Sequence, residues 1–389
     1  MSVVLGTLAA LLIGVVLVDT FETMLLPRRV KRQYRFARLY YVHCWKPWAA
    51  AARWIRSEKR RSSYLSVFGP LSIIMLIVLW AIALVVGFAV LHWSLGTPLG
   101  GKVQETSLAS YAYFSGVTFF TLGYGDLVPS LPLGRFLAVL ETGIGFGFLA
   151  MVIGYLPVLY QAFSRREVTI SLLDARAGSP PTAATFLSRL SRFSDLERLD
   201  HFLVEWERWA AELLESHISF PVLSYYRSQH DNQSWLAALT AILDTSALVL
   251  TIVPKNDRSQ AWLAFAMGRH VVVDLAQAYN APPVEPPIDR LSEASWRALR
   301  ERLADAGLTL REGEGRGADA QGVARDVRAV HRGAVDPILA PPATDHAGRR
   351  ARRQLADQRL DAQDSGLPPA RRGAFDRRSR RLSVQRSEP

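Results

Sequence analysis

Three apolar stretches, each long enough to cross a bilayer, decide what this chain can fold into. Residues 2–18, SVVLGTLAALLIGVVLV, carry no charge and run on through DTFETMLL to Pro27. A helix of about 20 apolar residues spans a hydrocarbon layer of ~30 Å, so this is a first crossing. It has neither a basic leading region nor a small-residue cleavage site, which favours a retained span over a cleaved leader. The second stretch, 71–93, is uncharged up to His92 and ends on Trp93, a residue suited to the membrane interface. The third, 133–163, is broken only by Arg135 near its start and Glu141 inside it. At ~1.5 Å per residue its helix would reach about 46 Å and project beyond the hydrocarbon. A composition of 49% hydrophobic and 21% charged residues agrees with a membrane class. The single cysteine, Cys44, allows no intrachain disulfide and no Cys-based metal site, and reads as packing.

Charge sets the orientation. Segment 28–62 holds twelve Lys and Arg against Glu58 alone, which places it in the cytoplasm. Between Trp93 and Leu133 the charges are Lys102, Glu105 and Asp126, a balance that suits the outside. The N-terminus is then outside and the C-terminus inside a cell (inner) membrane. Arg29, Arg32, Arg35 and Arg38 recur every third residue, as in a voltage-sensing helix, yet only one span precedes them where such a sensor has three. An amphipathic helix on the inner leaflet, with Trp45, Trp48 and Trp54 at the headgroups, is the better expectation. Asp19 and Glu22 of the first span are expected to pair with these arginines.

Between the second and third spans the chain is too apolar for an ordinary external loop. LASYAYFSGVTFF, 108–120, predicts a short helix that re-enters the membrane, followed by TLGYGD, 121–126. Two glycines around a tyrosine call for backbone dihedrals that other residues avoid. Non-helical backbone at membrane depth survives only when buried in protein or lining an aqueous path. Inward-facing carbonyls of Thr121, Leu122, Gly123 and Tyr124, with the Thr121 hydroxyl, would replace the water shell of a dehydrated cation.

TLGYGD resembles the TVGYGD signature of potassium channels, and the likeness extends without a gap over roughly 69–163, the two-helix pore module with its pore helix. The resemblance implies a selectivity filter of Thr121, Leu122, Gly123, Tyr124 and Gly125, K+ held at the first four, and Asp126 as its external anchor. It implies an inner-helix hinge at Gly145. Leu122 stands in place of the usual Val or Ile, with its carbonyl as the ligand. Phe120 replaces a common Thr or Ser, and Val117 a pore-helix acid, so Asp126 is expected to lean on Tyr113 or another neighbour. One filter motif supplies a quarter of a ring, which implies a homotetramer.

Glu141, an ionisable group inside a membrane helix, is expected to support the filter from behind by hydrogen bonding. Gly145 serves either as hinge or as close-packing residue, with Gly143 and Gly147 read as packing. Pro157 removes a helix hydrogen bond where four inner helices would converge and is the second gating candidate.

Beyond the spans, 164–193 reads as a linker with a turn-rich centre at 172–181, and 194–312 as a cytoplasmic helical domain. Ser194 and Glu197 form a capping box for a helix whose apolar stripe is 196, 199, 203, 206, 210 and 213. The apolar stretch 234–253 is expected to be a buried helix rather than a fourth span, and 260–279 a third helix offering Arg269 or His270 to Asp244. From 313 to 389 an Arg-rich composition reads as disordered. The organisation is therefore 1–27 first transmembrane helix, 28–67 basic amphipathic segment, 68–163 pore module, 164–193 linker, 194–312 helical domain and 313–389 tail. The fold class is an all-α membrane protein with three spans and a re-entrant pore loop.

No catalytic or metal-ligand constellation appears, so an enzyme is not expected, and the expected cofactor is none beyond K+ as permeant ion. Expected partners are other copies of the chain, membrane lipid and an unknown ligand of the helical domain, with no nucleic acid. The function expected is potassium-selective passive conduction. A weakly selective cation channel and a non-conducting membrane-anchored sensor or scaffold are the alternatives.

Overall fold

Apolar helix formers uninterrupted over 20 or more residues leave the chain little choice but long helices, and the computed structural model is built from them. It describes residues 2–26, 36–100, 107–192, 197–228, 233–252, 258–279, 281 and 293–310. The arginines and lysine between 28 and 35, Ser194 of the capping box and the tail from 313 lie outside these residues. The elements are α1 (Ser2–Met24), α2 (Phe36–Arg53), α3 (Glu58–Ser94), β1 (Leu99–Gly100), α4 (Leu108–Phe119), β2 (Val128–Pro129), α5 (Pro132–Ala177), α6 (Ala183–Arg192), α7 (Glu197–Ser219), a 3-10 turn (Pro221–Tyr225), α8 (Trp235–Ile252), α9 (Ser259–Ala278) and α10 (Glu293–Asp305). Among the described residues three helices are long and apolar enough to cross a membrane: α1, α3 and α5.

Helix α1 lies along α3. It buries Ala9, Ile13 and Val16 and leaves Val3, Val4, Leu11 and Val15 exposed, as a lipid-facing helix does. The approach is tight, since a Cβ on Gly87 would fall 2.8 Å from Ile13 Cγ1. The buried carboxylate of Asp19 accepts hydrogen bonds from the Trp80 indole at 3.0 Å and from the Ala37 backbone N–H at 3.1 Å. The expected pairing of Asp19 and Glu22 with Arg29, Arg32 and Arg35 involves arginines that lie outside the described residues. One carboxylate joins α1, α2 and α3, and its polar oxygens are satisfied where lipid would not satisfy them.

Helix α3 starts at Glu58, ten residues before the expected boundary, because nothing between Glu58 and Phe68 interrupts helical propensity. Its first turns carry Tyr64 and Phe68, and α2 packs on them through Trp48 (4.4 Å to Tyr64, stacked) and Trp45 (4.8 Å to Phe68). Two of the three tryptophans expected at headgroups therefore face protein, and Trp54 is 88% exposed.

The larger departure is α5. Its 46 residues, Pro132–Ala177, run through Pro157 and on into the first half of the expected linker, about 69 Å of continuous helix. Ile170, Leu173 and Ala177 at its far end belong to the core of the C-terminal helical domain, together with Phe186 and Leu187 of α6. The same core takes Leu199, Leu203, Trp206, Ala210 and Leu213 of α7, five positions of the expected stripe. Leu239, Ile242 and Leu243 place α8 inside it, which is why so apolar a helix is buried in protein. On α9, His270 lies 3.7 Å from Asp274 of its own helix.

One buried arginine ties the long helix to this domain. Arg166, on α5, donates to Glu167 Oε1 at 2.9 Å, to the Leu223 carbonyl at 3.1 Å and to the Tyr226 carbonyl at 2.8 Å. His217 Nδ1 donates to the Leu213 carbonyl at 2.9 Å, leaving Nε2 to accept from Arg166 at 3.4 Å. The turn that supplies the two carbonyls also stacks Tyr225 on Tyr41 of α2 (5.4 Å) and meets Phe68 of α3 (5.3 Å). Replacing Arg166 by Ala strands Glu167 and both carbonyls, at a cost of about 3–5 kcal/mol. Thermal unfolding of the purified protein should show the loss, and an unchanged transition would remove Arg166 from this role. Burial, reinforced by the Arg166 charge, lowers the His217 pKa from its ordinary 6.5 to about 3. Its neutral form thus adds stability that is full above pH 6.5 and lost as pH falls toward 3. Denaturant unfolding at neutral and acid pH should show this slope, and His217→Gln should flatten it.

Candidate functional site

Helix α4 is short and polar at its start. Ser107 caps it, its hydroxyl accepting from the Ser110 N–H at 3.2 Å. Its C-terminus closes with the Thr121 N–H on the Thr118 carbonyl (3.1 Å) and the Leu122 N–H on the Val117 carbonyl (2.9 Å). That pairing needs a left-handed residue, and Thr121 takes it with φ 57. A β-branched residue there stores of order 1–3 kcal/mol of strain, held by its surroundings. Gly123 (φ 63) and Gly125 (φ 74) repeat the left-handed sign, while Leu122 and Tyr124 keep negative φ. Alternation of sign from 121 to 125 turns successive peptide planes over, which lets neighbouring carbonyls point the same way.

The loop is framed at both ends. After it, β2 pairs antiparallel with β1 (Leu99 with Pro129, Gly100 with Val128), and the Ser130 N–H donates to the Pro98 carbonyl at 3.0 Å. Tyr111 holds the same edge by donating to the Thr97 carbonyl at 2.7 Å. Asp126 accepts from the Tyr113 hydroxyl at 2.8 Å, the partner expected for it. Between these supports the loop residues Thr121 to Asp126 are exposed in the single chain, with Leu122 at 54% and Tyr124 at 66%.

Helix α5 backs the loop. A Cβ on Gly145 would lie 2.1 Å from the Phe119 carbonyl, so only glycine lets α5 approach the end of α4. Nothing lies within 4 Å of such an atom at Gly143, Gly147 or Gly154. Glu141 is fully buried, with the Ser115 hydroxyl on its Oε1 and His92 Nε2 3.8 Å from its Oε2. It is therefore held among α3, α4 and α5. Pro157 lies on the same helix between buried Tyr155 and Leu159, and the helix continues past it.

Sequence reasoning did not find Ser115, His92 or the Phe119 carbonyl. His92 carried a signal, an ionisable residue closing an apolar run. Ser115 carried none, because its partner is 26 positions away. Gly145→Ala should destabilise the protein by about 1–3 kcal/mol through overpacking. Gly14→Ala, which meets open space on α1, should not; comparison of the two unfolding temperatures in detergent checks this.

Residues 74–161 match the model of a family described as "Ion channel", a segment running from within α3 through the loop into α5. An uncharacterised membrane protein of Bacillus subtilis, YdjJ, is 27% identical over 250 residues, which is 61% of this chain and 72% of the relative. No solved structure matches the chain. The protein is a membrane protein, and its segment 74–161 is a pore module of the ion-channel type.

Proposed function

We propose that the chain is a potassium-selective channel that conducts passively through a homotetramer. The observation that carries this reading is the alternating sign of φ at Thr121, Gly123 and Gly125 in an exposed loop at the end of a short helix. A dehydrated potassium ion needs several oxygen ligands, and the carbonyls of Thr121, Leu122, Gly123 and Tyr124 with the Thr121 hydroxyl supply one side of such a cage. Four copies supply the ring. They would also cover Phe120, Leu122 and Tyr124, large apolar groups left more than half exposed in the single chain.

In this reading Gly125 completes the filter backbone, Asp126 anchors its outer end through Tyr113, and Glu141 supports it from behind. Gating bends α5 at Pro157, where a helix hydrogen bond is missing, or at Gly145, where any bend moves the Phe119 carbonyl at the base of the loop. The basic segment and the C-terminal helical domain are cytoplasmic, by the distribution of Lys and Arg.

Purified protein in liposomes should carry a potassium current whose reversal potential follows the potassium gradient and not the sodium gradient. Gly123→Ala should abolish it while leaving a cross-linked tetramer intact, because a Cβ restricts the left-handed φ. Selective current through Gly123→Ala would overturn the assignment. In a Cys44→Ser background, Ser130→Cys should be labelled from outside and Lys59→Cys from inside, and the reverse pattern would invert the topology.

A further inference from the structure

The Ser115 hydroxyl stands between two acceptors on two other helices, the Val85 carbonyl of α3 at 2.8 Å and Glu141 Oε1 of α5. A hydroxyl has one proton, so it cannot donate to both. If Glu141 is a carboxylate, the contact to Val85 goes unmade. If Glu141 is a carboxylic acid, both contacts form at once: Glu141 donates to Ser115 Oγ, and Ser115 donates to the Val85 carbonyl.

The surroundings favour the acid. Glu141 Oε2 and both His92 ring nitrogens are buried without a hydrogen-bond partner, and their 3.8 Å separation is too long for a hydrogen bond. An ion pair in so apolar a place, without the hydrogen bonds that offset desolvation, is unfavourable beside two neutral groups. The groups facing the carboxyl are His92 and the Val85 carbonyl from α3 and Ser115 from α4. Phe114 closes the far side of His92, edge to face at 5.3 Å. Tyr111 is turned away to Thr97, and Thr142 returns its hydroxyl to the Ala138 carbonyl at 2.9 Å.

We propose that Glu141 binds one proton and acts as a neutral hydrogen-bond donor, and that the relay Glu141 to Ser115 to Val85 positions α4 between α3 and α5 behind the pore loop. Glu141 is then a positioning residue for the filter, and its influence on selectivity rests on the channel reading, whereas its protonation does not.

Infrared spectra of the full-length protein in lipid bilayers at neutral pH should contain the carbonyl stretch of a buried protonated carboxyl that disappears in Glu141→Gln. Ser115→Ala, which removes the acceptor and adds no charge, should shift that band. Spectra in which neither variant alters a carboxyl band would overturn the protonated state. In liposomes Glu141→Gln, whose amide still donates, should keep the wild-type preference for potassium over sodium. Glu141→Leu should lower that preference by about tenfold, as expected for loss of one buried donor. Equal loss in both variants would show that the acid itself is required and overturn the relay. Wild-type protein that has the band but carries no current would end the channel reading and leave the proton assignment standing.

Discussion

A backbone that leaves its helix inside an apolar layer must have its polar groups answered by something other than lipid. Everything between α3 and α5 follows from that requirement. Residues 121–125 leave α4 through a closed left-handed turn, so the last helical carbonyls are paired before the irregular stretch begins. The small β1–β2 ladder and the hydroxyls of Tyr111 and Tyr113 settle the outer edge. On the inner side Gly145 permits α5 to touch the Phe119 carbonyl directly. In the channel we propose, the carbonyls along the loop itself are answered by the permeant ion.

The same logic of pairing recurs away from the loop. Asp19 is tolerable in α1 because Trp80 and the start of α2 donate to it, and Arg166 is tolerable within a protein core because two carbonyls, Glu167 and His217 surround it. Each buried charge joins three elements that hydrophobic contact alone would hold with less geometric precision.

How much of this could be read in the chain depends on the range of the signal. The spans expected at 1–27, 71–93 and 133–163, the short helix at 108–120 and the stripe on α7 are periodic or compositional, and they were legible. The unusual dihedrals of TLGYGD were legible because two glycines flank its tyrosine. Helix boundaries were less so: EKRRSSYLSV fell within the expected basic amphipathic segment, whereas it begins α3 and carries the stacking contact of Trp48. The expected linker was misjudged because LLDARAG suggests a turn, whereas Leu173 and Ala177 are bound into a core built by residues from Phe186 to Leu308. Ser115 was invisible for the same reason, since the partner that gives it meaning lies on another helix.

Because α5 passes as one unbroken helix from the loop into the core of the C-terminal domain, the two halves of the chain share a phase as well as a connection. One residue inserted between Phe163 and Ile170 would turn everything beyond it by about 100° and advance it by ~1.5 Å. Arg166 would then face away from Leu223 and Tyr226, or else the core around Leu173 would have to open. A flexible tether would absorb such an insertion, as loops commonly do. Here the helical register itself is the fitted part, and exchanging this domain with another succeeds only where the rotational phase of the join is kept.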